Sequence, residues 1–137
     1  MRLLWNTDLA TGVRQIDLQH QELIDLINEL ETAHEAGHDD VALADVLPRL
    51  TSYAMFHFAT EESLMVKAAV NTPYVQHHLG EHRLFVDQIT NMRKSIDRDD
   101  SMQTVETLLE YLKSWLREHI MKTDKGLAKL IQAHPCA

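Results

Sequence analysis

Nine histidines stand out in this sequence of 137 residues, because they outnumber its three phenylalanines and three tyrosines together. Five of them fall on the apolar stripes of predicted helices, with two acids near them: His20, His57, His78, His82, His119, Glu61 and Asp124. A lone histidine on an apolar stripe is more often a satisfied core residue than a ligand. Burying five imidazoles and a carboxylate without partners, however, would cost several kcal/mol against a total stability of about 5–15 kcal/mol. The pattern therefore favours a shared metal site.

Two pairs of these residues are spaced for chelation. His57 and Glu61, and His78 and His82, are four residues apart, so each pair lies on one helix face with about 5–6 Å between Cβ atoms. Seven protein ligands exceed what one four-coordinate zinc takes, whereas two metals sharing two bridging carboxylates fit the number. Imidazole and carboxylate without thiolate suit iron, and the carboxylates offset part of the about four to six positive charges of an iron pair.

Asp124 is the candidate ligand with the least regular spacing. It follows His119 by five residues, and an ideal α-helix rotates such a pair by about 140°. Asp124 can therefore join the site only if its helix ends or distorts just before it. The nearby Gly126 favours an end there.

The other four histidines are His34, His38, His77 and His134. We expect three of them, at a helix end, in a loop and in the tail, to be solvated. His77 is ambiguous because it adjoins His78 and can pair with Glu81 four residues on. Only His78 is in phase with the apolar stripe of its helix, so His78 is the predicted ligand.

Four helices must position these side chains. Apolar residues recur at helical spacing over residues 16–36, 40–68, 73–96 and 101–123, and polar stretches such as Asp97–Ser101 separate them. Asp39 or Asp40 is the predicted N-cap of the second helix, and Pro48 predicts a kink or a separate short turn near its start. We predict an all-α fold: an antiparallel up-down-up-down four-helix bundle with an extended N-terminal segment and a short C-terminal helix, formed by a single domain over residues 1–137.

Composition and charge exclude several classes of protein. Hydrophobic residues at 45% and charged residues at 25% are typical of a globular chain rather than a disordered or fibrous one. The net charge of −8 disfavours nucleic acid and membrane surfaces as partners. The single cysteine, Cys136, allows no intramolecular disulfide and no thiolate metal site. The sequence contains neither a signal-peptide core nor a bilayer-spanning apolar run, so we expect a cytoplasmic location. We also expect a monomer.

Four motifs, taken in order, resemble the hemerythrin family. They are IDLQH at Ile16–His20, HFxxE at His57–Glu61, HxxxH at His78–His82 and WLxxHIxxxD at Trp115–Asp124. The resemblance covers nearly the whole chain. The stand-alone length and the Trp5 segment ahead of the first helix are similar to the bacterial members, the bacteriohemerythrins.

The resemblance implies a non-heme di-iron centre with an oxo or hydroxo bridge that binds dioxygen reversibly. The implied ligands are His78, His82 and His119 for one iron, His20 and His57 for the other, and Glu61 and Asp124 as bridges. The iron with two histidines would keep an open position for dioxygen. We expect Leu23, Phe58 and Leu116 to line the dioxygen pocket, since they lie one residue or one helical turn from predicted ligands, and Trp115 to fill the core.

The leading functional hypothesis is oxygen carriage, storage or delivery without turnover, which is not an enzymatic role. A di-iron enzyme acting on peroxide, nitric oxide or ferrous iron is one alternative. Ferritin-like di-iron enzymes are richer in carboxylates than this histidine-rich set, which disfavours oxygen activation. A second alternative is an oxygen or redox sensor that acts through a separate partner protein.

Overall fold

A computed structural model describes residues 3–67, 72–97 and 105–133. Over these residues the chain folds into helices and forms no strand, which confirms the prediction of an all-α helical bundle. The elements are a 3₁₀ turn at Thr7–Leu9, α1 at Arg14–Glu35, α2 at Asp39–Val41, the π-helical turn π1 at Ala42–Val46, α3 at Leu47–Lys67, α4 at Thr72–Asp97, α5 at Val105–Glu118, the π-helical turn π2 at His119–Asp124 and α6 at Lys125–Ala133. None of the described helices is both long enough and apolar enough to cross a membrane.

The long helices pack through one apolar stripe each. α1 contacts α3 and α5, and α4 contacts the same two helices. The buried core between them includes Leu23, Ile27 and Leu30 of α1, Leu50 and Ala54 of α3, Phe85 and Ile89 of α4, and Leu108 and Leu112 of α5. These residues recur every three or four positions, which is the spacing that presents one helix face to a core. The packed helices thereby position the polar residues that share their inner faces.

Pro48 is the second residue of α3 and has no N–H to donate. Of the two predicted alternatives, the structure has a short turn ahead of the proline: π1 directly precedes α3, and the Leu47 N–H is bonded to the Ala42 carbonyl five residues back. The Leu43 carbonyl would need its π-helical donor from residue 48, which is the proline. The Arg93 guanidinium of α4 donates to this carbonyl instead. A side chain from another helix thus supplies the hydrogen bond that this carbonyl cannot receive from the proline.

The predicted N-cap of the second helix was wrong. Asp39 and Asp40 are the first residues of α2, and His38 occupies the cap position without a capping hydrogen bond. Asp39 accepts a hydrogen bond from the His34 ring over 2.7 Å instead. Both carboxylates remain near the positive end of the helix, where their charge is favourable without capping geometry.

The last helix does not end near Gly126 but continues through π2 into α6. Leu127 of α6 is fully buried and packs with Ile16 of α1 and Met65 of α3 in a second, smaller apolar cluster. This packing outweighs the about 1 kcal/mol that a glycine costs inside a helix. Four predicted features lie outside the described residues: the helix start at residue 101, the polar break after Asp97, and the positions of His134 and Cys136.

The N-terminal segment is extended before its 3₁₀ turn. The Asn28 side chain of α1 binds the Leu3 backbone on both sides, accepting from its N–H over 3.0 Å and donating to its carbonyl over 2.8 Å. Leu3, Trp5 and Leu9 pack against the main core. The segment thereby covers the outer face of the bundle beside α1 and α5, where Ile24, Leu116 and Ile120 line a cavity of about 350 Å³ with it.

Candidate metal centre

All seven predicted ligand residues converge on one buried position between the long helices. The exposed fraction is 0% for His20, His57, Glu61, His78 and Asp124, 2% for His119 and 5% for His82. α1 supplies one of them, α3 two, α4 two and π2 two. The structure therefore brings together every side chain that the sequence singled out for metal binding.

Their nitrogen and oxygen atoms form two overlapping groups, each with ligand atoms within 4.8 Å of one another. The first group is His20, His57, His119 and Asp124, and the second is Glu61, His78, His82 and His119. Each group has the size of a single metal site. His119 belongs to both, so the two sites would lie side by side.

The two carboxylates lie between the groups. The Glu61 Oε1 atom is 3.0 Å from His57 Nε2 and 3.1 Å from His119 Nε2, and the other oxygen of Glu61 is 3.1 Å from His78 Nε2. Asp124 Oδ2 is 3.0 Å from both His57 Nε2 and His119 Nε2, and it also contacts His20 Nε2. Each acid thus touches imidazoles of both groups, which is the arrangement that a carboxylate bridging two metals requires.

Asp124 reaches the site because the backbone distorts. The segment from His119 to Asp124 is π-helical, and this wider turn brings residues five apart onto the same face. Of the two arrangements that the spacing allowed, an end or a distortion, the structure has the distortion. The end that Gly126 favoured was wrong, because the helix continues to Ala133.

Burial lowers the pKa of two of the site imidazoles and so favours their neutral form. Desolvation, followed by the positive charges of His57 and His119, lowers the pKa of His20 to about 2. Desolvation also lowers the pKa of His82. The pKa of His57 is raised, because hydrogen bonds with Asp124 and Glu61 outweigh its desolvation. A neutral imidazole presents the nitrogen lone pair that a metal needs.

The pKa values of the two acids shift in opposite directions. Burial, and then the negative charge of Glu61, raises the pKa of Asp124 well above its usual range. Burial also opposes ionisation of Glu61, but the hydrogen bond from Asp124 and the charge of His119 outweigh it and hold the pKa of Glu61 well below its usual range. Bound cations would favour ionisation of both acids.

Several buried polar atoms of the site lack hydrogen bonds. Among the described residues, His82 Nε2 and Asp124 Oδ1 are fully buried and make none. An unsatisfied buried polar group costs about 1–3 kcal/mol. Coordination to a metal would satisfy both atoms. The donor set of imidazoles and carboxylates also matches the preferences of iron, so the residues fit the iron pair that the family resemblance implies.

The three residues expected to line the dioxygen pocket are all buried, Leu23 and Leu116 at 1% and Phe58 at 3% exposure. The Phe58 ring stacks on the His82 imidazole with centroids 3.9 Å apart and an interplanar angle of 12°. It also lies 5.8 Å from the His119 ring and 6.0 Å from the His57 ring. Phe58 therefore forms an apolar wall against imidazoles of both groups.

Two residues contact the site in ways that the sequence analysis missed. Gln19 of α1 is buried, and its side-chain oxygen is 2.7 Å from His57 Nδ1. Trp115, expected only as core filling, stacks on His119 with centroids 4.7 Å apart at 14° and lines an outer cleft of about 290 Å³. The four-residue spacing of Trp115 and His119 was a usable signal. No local pattern pointed to Gln19, because its partner is 38 residues away.

The remaining described histidines are exposed or partly exposed, as their positions on the helices predict. His77 is 72% exposed and lies 2.9 Å from Glu81, while the adjacent His78 is fully buried in the site. His38 is exposed. His34 is partly exposed and bonded to Asp39.

The chain is similar to known proteins over most of its length. The family model described as Hemerythrin HHE cation binding domain matches residues 11–131. The chain is 32% identical over 130 residues to the Bacteriohemerythrin of Pseudomonas aeruginosa, covering 95% of this chain and 82% of that protein. It is 30% identical over 132 residues to the Bacteriohemerythrin of Stenotrophomonas maltophilia, covering 96% and 83%. It is 26% identical over 120 residues to a Hemerythrin-like protein of Naegleria gruberi, covering 88% and 86%.

Proposed function

The chain belongs to the hemerythrin family, and from that premise we propose that it binds dioxygen reversibly at a di-iron centre, without turnover. The role would be oxygen carriage, storage or delivery, performed by one domain that spans residues 1–137. The convergence of five buried imidazoles on two carboxylates carries the proposal. A histidine-rich, carboxylate-poor set differs from the ferritin-like di-iron centres, which are built largely from glutamates.

The ligands divide unequally between the two irons. We assign His78, His82 and His119 to one iron, His20 and His57 to the other, and Glu61 and Asp124 to both. By the family resemblance, the iron held by two imidazoles would be the one that binds dioxygen. When bound, the iron pair supplies the electrons for reversible oxygen binding, a chemistry that belongs to the metals.

The protein contributes geometry and the exclusion of water. The two acids stand between the imidazole groups and would hold the irons together. Leu23, Phe58 and Leu116 are buried and apolar, and Phe58 packs directly against the site imidazoles, so the three would form the apolar wall of the pocket. An apolar shell limits solvent access to a metal site and so slows the loss of bound ligand to side reactions.

The experiment is metal analysis together with an absorption spectrum of the full chain as isolated. We expect two irons per chain and an oxo-bridged di-iron spectrum that changes reversibly on reduction and oxygenation. Absence of iron after preparation under iron-replete, reducing conditions would contradict the proposal. Steady turnover of peroxide or nitric oxide in place of reversible oxygenation would instead favour an enzyme.

Two adjacent histidines provide a matched pair of variants. His78→Ala removes a fully buried imidazole of the site, and His77→Ala removes its 72% exposed neighbour. We expect iron content to fall in the first variant and to remain at two per chain in the second. Equal iron content in both variants would contradict the ligand assignment.

A further inference from the structure

Gln19 lies outside the predicted ligand set, yet its buried side chain makes hydrogen bonds on both sides. We propose that Gln19 is a positioning residue that fixes the orientation and tautomer of His57, and that it acts on the metal bound by His20 and His57 rather than on the neighbouring metal. The inference rests on the proposed function, because it concerns the loading of the same site.

The hydrogen bonds determine which way the Gln19 amide faces. The Thr60 hydroxyl donates to the Phe56 carbonyl over 3.1 Å, so toward Gln19 it can only accept. The group 3.0 Å from it must then be the Gln19 amino group, which leaves the Gln19 carbonyl oxygen facing His57 Nδ1 at 2.7 Å. A carbonyl oxygen accepts only, so Nδ1 carries the proton.

The tautomer places the lone pair of His57 where the metal would bind. With the proton on Nδ1, the neutral ring has its lone pair on Nε2. That nitrogen is 3.0 Å from both Glu61 Oε1 and Asp124 Oδ2, at the centre of the site. The Gln19 bond therefore orients the ring so that Nε2 faces the two acids, where a metal would take the place of its hydrogen bonds with them.

Other imidazoles of the site lack such support. In the part of the chain that the structure describes, His20 Nδ1 and His119 Nδ1 are buried and make no hydrogen bond. Those rings are therefore held by packing and by the contacts of Nε2 with the acids, without a hydrogen bond on the outer nitrogen. Removal of a single outer hydrogen bond should accordingly affect His57 most.

The position of Gln19 in the chain confines its effect to one metal. It directly precedes His20 on α1, so one turn of that helix supplies a ligand and the residue that orients the second ligand of the same iron. The ligands assigned to the other iron come from α4 and π2, which Gln19 does not contact through any of these hydrogen bonds.

Three variants and one control test the inference on the full chain. Gln19→Leu removes the hydrogen bond with little change in size, Thr60→Val removes the partner that orients the amide, and Gln19→Glu keeps an acceptor. Thr90→Val is the control, because the Thr90 hydroxyl makes the same bond within its helix, to Val86, but is exposed. The measurement is a visible-absorption titration of the metal-free chain with Co²⁺, together with its thermal melting temperature.

We expect the wild-type chain to bind two Co²⁺ ions. In Gln19→Leu, one of the two affinities should fall by about 10- to 100-fold, the usual effect of losing an outer partner of a metal-bound histidine, while the other stays at its wild-type value. Thr60→Val should weaken the same step by less. Thr90→Val should titrate like the wild type, whereas Gln19→Glu, which keeps an acceptor toward His57, should bind more tightly at that step than Gln19→Leu.

The outcomes separate the inference from the proposed function. Unchanged affinities in Gln19→Leu, or an equal fall in both together with a lower melting temperature, would overturn the inference alone, since either result indicates no role or a merely structural one. If Gln19→Leu does not fold, the comparison of Thr60→Val with Thr90→Val decides, and identical titrations overturn the inference. A wild-type chain that binds a single metal would overturn the proposed function and the inference together.

Discussion

The chain contains two π-helical turns, and they have different causes. In π1, Pro48 follows directly and removes a backbone donor, so the distortion has a local origin in the sequence. In π2, no proline is present between His119 and Asp124. The turn there instead coincides with the burial of Asp124 among three imidazoles.

The two distortions also differ in their consequences. π1 adapts the backbone to a residue that cannot continue an α-helix, and Arg93 satisfies the carbonyl left behind. π2 brings two polar side chains to one point that regular helical geometry would keep apart. We therefore expect π1 to matter for packing and π2 for metal binding.

The largest effect is expected from Asp124→Ala. Loss of a bridging carboxylate should lower metal affinity by more than about 100-fold, beyond the effect of losing an outer partner. The substitution should also remove the contacts between Asp124 and the three imidazoles that accompany the π-helical turn. Hydrogen exchange of the backbone amides of residues 119–125 should then change, while that of residues 42–47 stays the same. Wild-type iron content in this variant would show that π2 does not serve the site.

Two leucines that are each 1% exposed allow the two regions to be compared directly. Leu116 lies one turn before π2, and Leu50 lies one turn after π1. Leu116→Ala and Leu50→Ala should each lower the free energy of unfolding by about 2–5 kcal/mol, the usual cost of such a truncation. Only Leu116→Ala should also speed autoxidation of the oxygenated protein, because it opens the apolar wall of the site to water. Equal autoxidation rates in both variants would contradict the place of Leu116 in the dioxygen pocket.

Removal of the metal should affect the same two turns unequally. A ligand present at 100 times its dissociation constant stabilises the folded state by about 2.7 kcal/mol, so chelation should lower the melting temperature of the iron-loaded protein. Because the site then contains unsatisfied buried polar atoms, amides in π2 should exchange faster. Amides in π1 provide the internal control. A uniform change across both turns would indicate global destabilisation rather than a local role.

The smallest effect is expected from Pro48→Ala, which restores the missing N–H. The free energy of unfolding should change by no more than about 1 kcal/mol, the range typical of proline substitutions at sites the chain already accommodates. Iron content should stay at the wild-type level. A loss of iron in this variant would show that π1 also positions the site, and the distinction between the two turns would then be wrong.

Much of the candidate site could be predicted because its spacing is helical. His57 with Glu61, and His78 with His82, need only a regular α-helix to share a face, and a helical stripe is a local property of the sequence. The same phase argument separated His78 from His77, and the structure places the two as expected. The role of His78 as a metal ligand stays a prediction.

Other features could not be predicted because they depend on distant partners. Gln19 has an ordinary position on α1, and only the folded chain brings His57 and Thr60 to its two ends. Asp39 does not cap the second helix as predicted, because its side chain is hydrogen-bonded to His34. The helix continues past Gly126 because Leu127 packs against residues from α1 and α3.

The sequence by itself determined the residue types, the helices and the inward phase of five imidazoles, because each of these follows from interactions within a few turns of one helix. Tertiary structure decided whether the last helix would end or distort at Asp124 and in which direction the pKa of each acid would shift. Local preferences leave such alternatives within a few kcal/mol of each other. The burial of Asp124 against side chains from α1 and α3 is a long-range interaction, so only the assembled bundle could choose between them.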